Sequence, residues 1–325
     1  MNIARRRFLR LAAGATTLPA VSRIARAQAY PSRPVRLIVG FPAGGGADIV
    51  ARILGRWLSE RLGQEFIIEN KPGANTSIAA QTALNAPPDG YTLLWCGISN
   101  AINASFYDNL PFDFAKDIAP VSGVGIYPLV LEVHPSVQAK TLAEFVALAK
   151  ANPGKINLAS YGTGSVSHLG GELFKMRTGI NMVHVPFRGA APMLTDLLGG
   201  QVQAAIDTVA ASLPHIRSGA LRPLAVTTAA RVAALPDVPT LAETLADYEV
   251  VAWTGIAAPK GTPPGIVETL NREINSGLTN PDIKARLTDL TIIPLVLTPD
   301  QYGSYIAAEI DRWAKVVKFS GAKPE

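Results

Sequence analysis

Four segments place polar side chains or open backbone N–H groups where an apolar run gives way to a helical pattern. The first is Gly40-Phe41-Pro42-Ala43-Gly44-Gly45-Gly46-Ala47-Asp48. Its consecutive glycines leave N–H groups open at a helix start, where the helix dipole concentrates roughly half a positive charge. It lacks the lysine of G-x-x-x-x-G-K-[ST] and the spacing of G-x-G-x-x-G, so a carboxylate suits it better than a nucleotide triphosphate. Asp48 serves there either as a helix cap or as a ligand contact. The second segment is Ser160-Tyr161-Gly162-Thr163-Gly164-Ser165-Val166-Ser167-His168. Gly162-x-Gly164 is half a dinucleotide fingerprint, with Ser167 in place of the third glycine. Its hydroxyls on Thr163, Ser165 and Ser167 suit carboxylate oxygens, whereas helix capping accounts for one of them. The third, Pro186-Phe187-Arg188-Gly189-Ala190, offers Arg188 either to a carboxylate or to solvent. The fourth, Ile206-Asp207-Thr208, puts an acid directly after an apolar strand, where it can orient Arg188, hold a water, meet an amino group or cap the next helix.

Catalytic and metal patterns are weaker. His134, His168, His184 and His215 show no metal-ligand spacing, and the single cysteine is Cys96, so no metal or other cofactor is expected. Ser165 is not in a G-x-S-x-G elbow, because Ser167 stands at the final glycine. His168, three residues after Ser165, suits packing or capping better than general-base duty. Cys96 ends the apolar run Tyr91–Cys96 and reads as a buried strand thiol.

These segments need strands before them and helices after them, and the chain supplies both. Val35–Val39 reads as a strand. Ile49, Val50, Ile53, Leu54, Trp57, Leu58 and Leu62 then follow at helical spacing as far as Gly63. Further strands are expected at 66–69, 91–96, 127–133, 157–159, 182–185, 202–206, 223–227, 249–258 and 292–297. Helices are expected at 76–85, 141–151, 163–178, 190–198, 214–218, 264–278, 281–290 and 299–320. Ser99 and Asn100 fall in the loop after the third strand, as specificity or turn residues. The alternation implies an α/β fold of parallel sheets covered by helices. Ligands in such sheets bind beyond the carboxyl ends of the strands.

Composition narrows the class. The 325 residues are 48% hydrophobic and 17% charged, which excludes a disordered chain and leaves room for about two domains. The net charge of +5 is local: residues 1–29 hold six arginines and no acid, and the remainder balances 24 basic against 25 acidic residues. No charge argument for a nucleic-acid partner survives in the remainder. Residues 1–29 read as an export signal: Arg5-Arg6-Arg7-Phe8-Leu9-Arg10, an apolar stretch to Val21, then Ala25-Arg26-Ala27 and Ala27-Gln28-Ala29 as cleavage sites. The arginine pair and the mildly apolar stretch lean towards twin-arginine export.

The order of several motifs resembles the Bug (TctC-like) extracytoplasmic solute receptors of tripartite tricarboxylate transporters. They are Phe41-Pro42-Ala43-Gly44-Gly45-Gly46-Ala47-Asp48, Glu69-Asn70-Lys71-Pro72-Gly73-Ala74, Pro88-Asp89-Gly90-Tyr91-Thr92-Leu93-Leu94, Tyr161-Gly162-Thr163-Gly164-Ser165, Val185-Pro186-Phe187-Arg188-Gly189-Ala190-Ala191-Pro192, Leu235-Pro236-Asp237-Val238-Pro239-Thr240 and Trp253-Thr254-Gly255 with Ala258-Pro259-Lys260-Gly261-Thr262-Pro263. The resemblance spans essentially the whole chain after residue 29. It implies a periplasmic-binding-protein fold of type II-like character, with a cleft between two domains: 30–127 plus 252–325, and 128–251. It implies that the loops 41–48 and 163–168 face each other across that cleft and hold a carboxylate, so that Ser165→Ala weakens binding. Phe41, Ala43, Gly44, Gly45, Asp48, Thr163, Gly164, Ser165, Ser167 and His168 would form the seat. Ser99, Asn100, Arg188, Gly189, Ala190 and Asp207 would sort the rest of the solute. The implied protein is a periplasmic monomer, not an enzyme, that passes a small carboxylate to large TctA-like and small TctB-like permease subunits. Two departures bear on the ligand: Asn75-Thr76-Ser77 replaces a glycine-rich stretch, and Phe187-Arg188 stands where the family often has Tyr-Lys. A second reading keeps the ligand but reports to a sensor kinase. A third, of a different class, is a periplasmic hydrolase using Ser165 and His168.

Overall fold

The computed structural model describes residues 30–324; the expected export segment lies outside them. In chain order, β1 (Val35–Val39) leads into α1 (Gly46–Leu62), followed by β2 (Phe66–Asn70), α2 (Ser77–Leu84), β3 (Thr92–Gly97) and α3 (Ile98–Phe106). The long β4 (Ile118–Val133) is followed by α4 (Leu142–Ala151), β5 (Asn157–Ser160), α5 (Val166–Thr178), β6 (Val183–Pro186) and α6 (Ala190–Leu198). Then come β7 (Ala204–Thr208), α7 (Val209–Arg217), β8 (Arg222–Val226), β9 (Val251–Pro259), α8 (Pro264–Thr279), α9 (Pro281–Asp289), β10 (Ile293–Pro294) and α10 (Pro299–Ser320).

The strands form one mixed array in the order β2-β1-β3-β9-β4-β7-β5-β6, with β8 and β10 also paired to β4. The outer pairs β1–β2, β1–β3, β5–β6 and β5–β7 are parallel, as the alternation predicts. The centre is not: β9 runs antiparallel to β3, and β4 runs antiparallel to β9, β7 and β8. Strand β4 changes partners along its length. Ile118–Pro128 pairs with Val251–Pro259, and Leu129–Val133 pairs with Ala204–Thr208. Two βαβ layers are thereby joined by a strand that runs from one into the other, in a two-layer α/β architecture. Both β4 and β9 are followed by helices, so alternation alone could not reveal that they run antiparallel to their neighbours.

Other differences have local causes. Strand β4 starts nine residues before the expected Tyr127, because Pro120, Gly123 and Gly125 break the apolar pattern. The ladder absorbs them as register shifts at Pro120/Ser122 and Gly123/Gly125. Helix α3, read from sequence as a loop, is helical from Ile98, and α7 begins at Val209 rather than Pro214. Only Ile293–Pro294 of the expected 292–297 strand pairs. The last helix closes the molecule: Trp253 and Trp313 both donate Nε1–H to Glu309 Oε2, at 2.9 and 3.1 Å. Among the described residues no helix is long and apolar enough to cross a membrane.

Candidate functional site

Helix α1 starts at the glycine loop because Asp48 organises it from inside. The Asp48 carboxylate is buried and accepts hydrogen bonds from Gly44 N–H, Arg52 Nε–H and Asn70 Nδ2–H, each at 2.9 Å. Asn70 Nδ2 also donates to Phe41 O at 3.0 Å. The Arg52 guanidinium, with the Gly44 and Asn70 donors, holds the Asp48 pKa down at about 2. Asp48 therefore shapes the loop from inside.

A cleft of about 700 Å³ lies beside these loops, between the two layers. Four helix starts line it: Gly45–Ala47 of α1, Gly97–Asn100 of α3, Ala190 of α6, and Thr208 with Ala210 of α7. Tyr127 and Pro128 of β4, the β9 segment Ala252–Thr254 and the turn Leu290–Ile292 line it as well. Among the described residues no Lys, Arg, His, Asp or Glu lines it. Positive potential there comes from backbone dipoles alone. The four N-cap residues, Gly45, Gly97, Gly189 and Thr208, supply no side-chain cap, so the first-turn N–H groups stay open to a ligand. Gly97 is required here: a Cβ at this position would lie 2.5 Å from Trp253 O. Asn100 is oriented by its Oδ1, which accepts from Gly97 N–H at 3.0 Å.

Of the sequence-predicted residues, Phe41, Gly45, Ser99, Asn100 and Ala190 line this cleft. Ala43 and Gly44 are exposed beside it, with the Gly44 N–H directed to Asp48. The segment 163–168 differs from expectation, because its polar groups bond to one another. Ser165 caps α5 by accepting from His168 N–H at 3.2 Å and donates to Gly162 O at 2.6 Å. Ser167 is buried and donates to Ile206 O. Gly164 packs on the Phe106 ring, where its φ of +78° and the lack of a side chain are both needed. The His168 ring accepts from Gly164 N–H at Nδ1 (3.1 Å) and stacks on His184 at 3.7 Å. Burial, with the neighbouring His184 and Lys175, pushes its pKa down to about 3. A neutral ring facing Gly164 and His184 forms no Ser–His relay with Ser165. Thr163 is half-buried in the same loop.

Arg188 and Asp207 do not meet. Arg188 is exposed and makes no ion pair among the described residues. Asp207 is buried on β7 and accepts from Thr208 N–H at 2.6 Å, and burial raises its pKa to about 6. It shares a sheet face with Glu132, whose partner is the Ser212 hydroxyl at 2.8 Å. Burial above all pushes Glu132 up to about 8. Gly189 stands at the start of α6 with φ +106°. Sequence reasoning missed the α3 and α7 starts and the 290–292 turn, and placed Tyr127 at a crossing between domains without assigning it to the site. Thr208 before Val209 was the one readable signal, as a helix-start residue. Cys96 is buried on β3, as expected, and burial pushes its thiol up to about 12.

Comparison with known proteins adds a lineage to this geometry. A family model described as the tripartite tricarboxylate transporter family receptor, TctC, matches residues 50–321. Protein BugT of Bordetella pertussis is 42% identical over 301 residues, covering 91% of this chain and 92% of that protein. A solved R. palustris structure with adipate superposes with TM-score 0.80 at 36% identity, covering 91% of this chain and all of that one. MatC from Rhodopseudomonas palustris, with bound malate, gives TM-score 0.75 at 33% identity, covering 89% of this chain and all of that one.

Proposed function

The chain belongs to the tripartite tricarboxylate transporter receptor (TctC) family, and from that premise we propose that it captures a small carboxylated solute in the cleft and delivers it to a membrane permease pair. Its relatives in this fold are solute-binding receptors, two of them with adipate or malate bound. The observation that carries the reading is the convergence of four uncapped helix starts on a cleft free of charged side chains. Such a site attracts an anion and offers no acid, base or nucleophile to transform it. Phe41, Gly45, Ser99, Asn100 and Ala190 are the proposed solute contacts. The proposed domains are 30–127 plus 252–325 and 128–251, and the switch of β4 partners at Pro128/Leu129 supports that division. Closure about this crossing would be hinge-like. In this reading residues 1–29 direct export to the periplasm, the receptor acts as a monomer, and the permease has TctA-like and TctB-like subunits.

Titration of the exported protein with mono-, di- and tricarboxylates, followed by thermal unfolding, tests this. An acid present at 100 times its Kd stabilises the fold by about 2.7 kcal/mol. A shift with one acid class, and recovery of that acid unchanged, is the expected result. No shift with any acid, on protein shown by mass spectrometry of the denatured chain to carry no bound ligand, would overturn the reading.

A further inference from the structure

Between β2 and α2, three successive residues other than glycine take left-handed backbone angles: Ala74, Asn75 and Thr76, with φ of 43°, 45° and 75°. No other two neighbouring non-glycine residues among the described residues do so. Such residues cost free energy and persist only where their surroundings hold them. None of the three lines the cleft, but the groups that hold the turn sit next to residues that do. On one side, Thr76 is buried against Gly40: a Cβ on Gly40 would lie 2.7 Å from Thr76 Cβ and 2.9 Å from its Cγ2. Gly40 precedes Phe41, which lines the cleft. Thr76 Oγ1 has no hydrogen-bond partner among the described residues, so this contact is one of shape. On the other side, Asn75 Nδ2 donates to Asn103 Oδ1 at 2.8 Å. Asn103 Nδ2 donates in return to Asn75 O at 2.7 Å and to Ser77 Oγ at 3.0 Å. Asn103 is buried on α3, one helical turn after Asn100, which lines the cleft.

We propose that the Ala74–Thr76 turn is a spacer that fixes the separation of Phe41 from the start of α3, and that Asn75 and Thr76 are positioning residues for solute selection. This rests on the receptor reading above and adds residues that tune it without touching the solute. A rigid turn holds the two proposed contacts at one separation, so acids of different length are told apart. A turn that gives way lets the contacts follow the acid, and both affinity and discrimination fall.

The test is isothermal titration of the full chain and its variants with straight-chain mono- and dicarboxylates, alongside urea unfolding without acid. Asn75→Gly keeps the left-handed backbone at no steric cost and removes only the side-chain bond to Asn103. Thr76→Ser removes the methyl pressed on Gly40 and keeps the hydroxyl; Thr76→Val does the reverse. Asn75→Gly and Thr76→Ser should each weaken the best acid about fivefold, the worth of one hydrogen bond or one methyl contact, and shrink its margin over the next chain length. Thr76→Val should bind within about twofold of the parent, because the hydroxyl it loses is unpartnered. The acid-free urea midpoint of Asn75→Gly should not fall, since glycine relieves the strain. Unchanged affinity in Asn75→Gly and Thr76→Ser, or a loss spread evenly over all the acids and matched by a lower midpoint, would overturn the spacer and leave the receptor reading standing. Binding of no acid by the parent chain would remove both.

Discussion

Among the described residues, eight of the ten helix starts fall into two contrasting groups; the other two, α2 after Thr76 and α8 after Pro263, also lack a side-chain cap but do not line the cleft. Helices α4, α5, α9 and α10 begin with Thr141, Ser165, Asn280 and Thr298, and each of these side chains accepts a hydrogen bond from a first-turn N–H. Each of these starts satisfies part of its first turn from within. Helices α1, α3, α6 and α7 begin with Gly45, Gly97, Gly189 and Thr208, none of which caps with its side chain, and these four line the cleft. A glycine-rich strand-to-helix loop is therefore not enough to indicate a ligand seat. The 40–48 loop and the 160–168 loop look alike in sequence, but Ser165 caps the second helix whereas Gly45 leaves the first without a side-chain cap.

Buried acids differ in the same way. Asp48 is ionised and fully bonded, whereas Glu132 Oε2 and Asp207 Oδ2 are buried without partners. Breaking the first is expected to have the largest effect. Asp48→Ala leaves Asn70 Nδ2 and the Gly44 N–H without their acceptor while the half-exposed Arg52 turns to solvent, and should cost about 2 kcal/mol in urea unfolding, with loss of acid binding as the loop loosens. Because its folded pKa lies below the usual carboxylate range, the Asp48 contribution is complete above about pH 4. It is lost as pH falls towards 2.

Glu132 has the opposite sign. Its folded pKa of about 8 exceeds the ordinary value, so stability is greatest at low pH and declines as pH rises from about 5 to 8. Glu132→Gln keeps the size and the Ser212 contact and should flatten this decline in melting temperature. An unchanged slope would assign the titration to another group.

Ser165→Ala sharpens the comparison of helix starts. Removing the cap should cost about 1 kcal/mol of stability and leave acid affinity within about twofold, in place of the binding loss that the family resemblance implies. A large loss of affinity with little loss of stability would return Ser165 to the solute. The smallest effect is expected at Arg188, which is exposed and unpaired. Arg188→Ala should change stability by less than about 0.5 kcal/mol and leave carboxylate binding intact.

Local patterns made much of this molecule legible from sequence. The apolar run 35–39 followed by helical spacing from Ile49 placed β1 and α1 within two or three residues, since period and capping are properties of neighbours in the chain. The glycine loop, the strand thiol at Cys96 and the family motifs were readable for the same reason. What escaped depended on distant partners. Helix α3 was hidden because its start is set by Gly97 against Trp253 O, 156 residues away in sequence but adjacent across the β3–β9 ladder. Arg188 and Asp207, close in type and in expected role, lie apart because one faces solvent and the other the core. Sequence by itself determined the elements, the lineage and the presence of open helix starts. Which starts remain open, and which carboxylates stay charged, was decided only when the crossing strands brought the two layers together, because hydrogen-bond completion and desolvation are properties of the packed molecule.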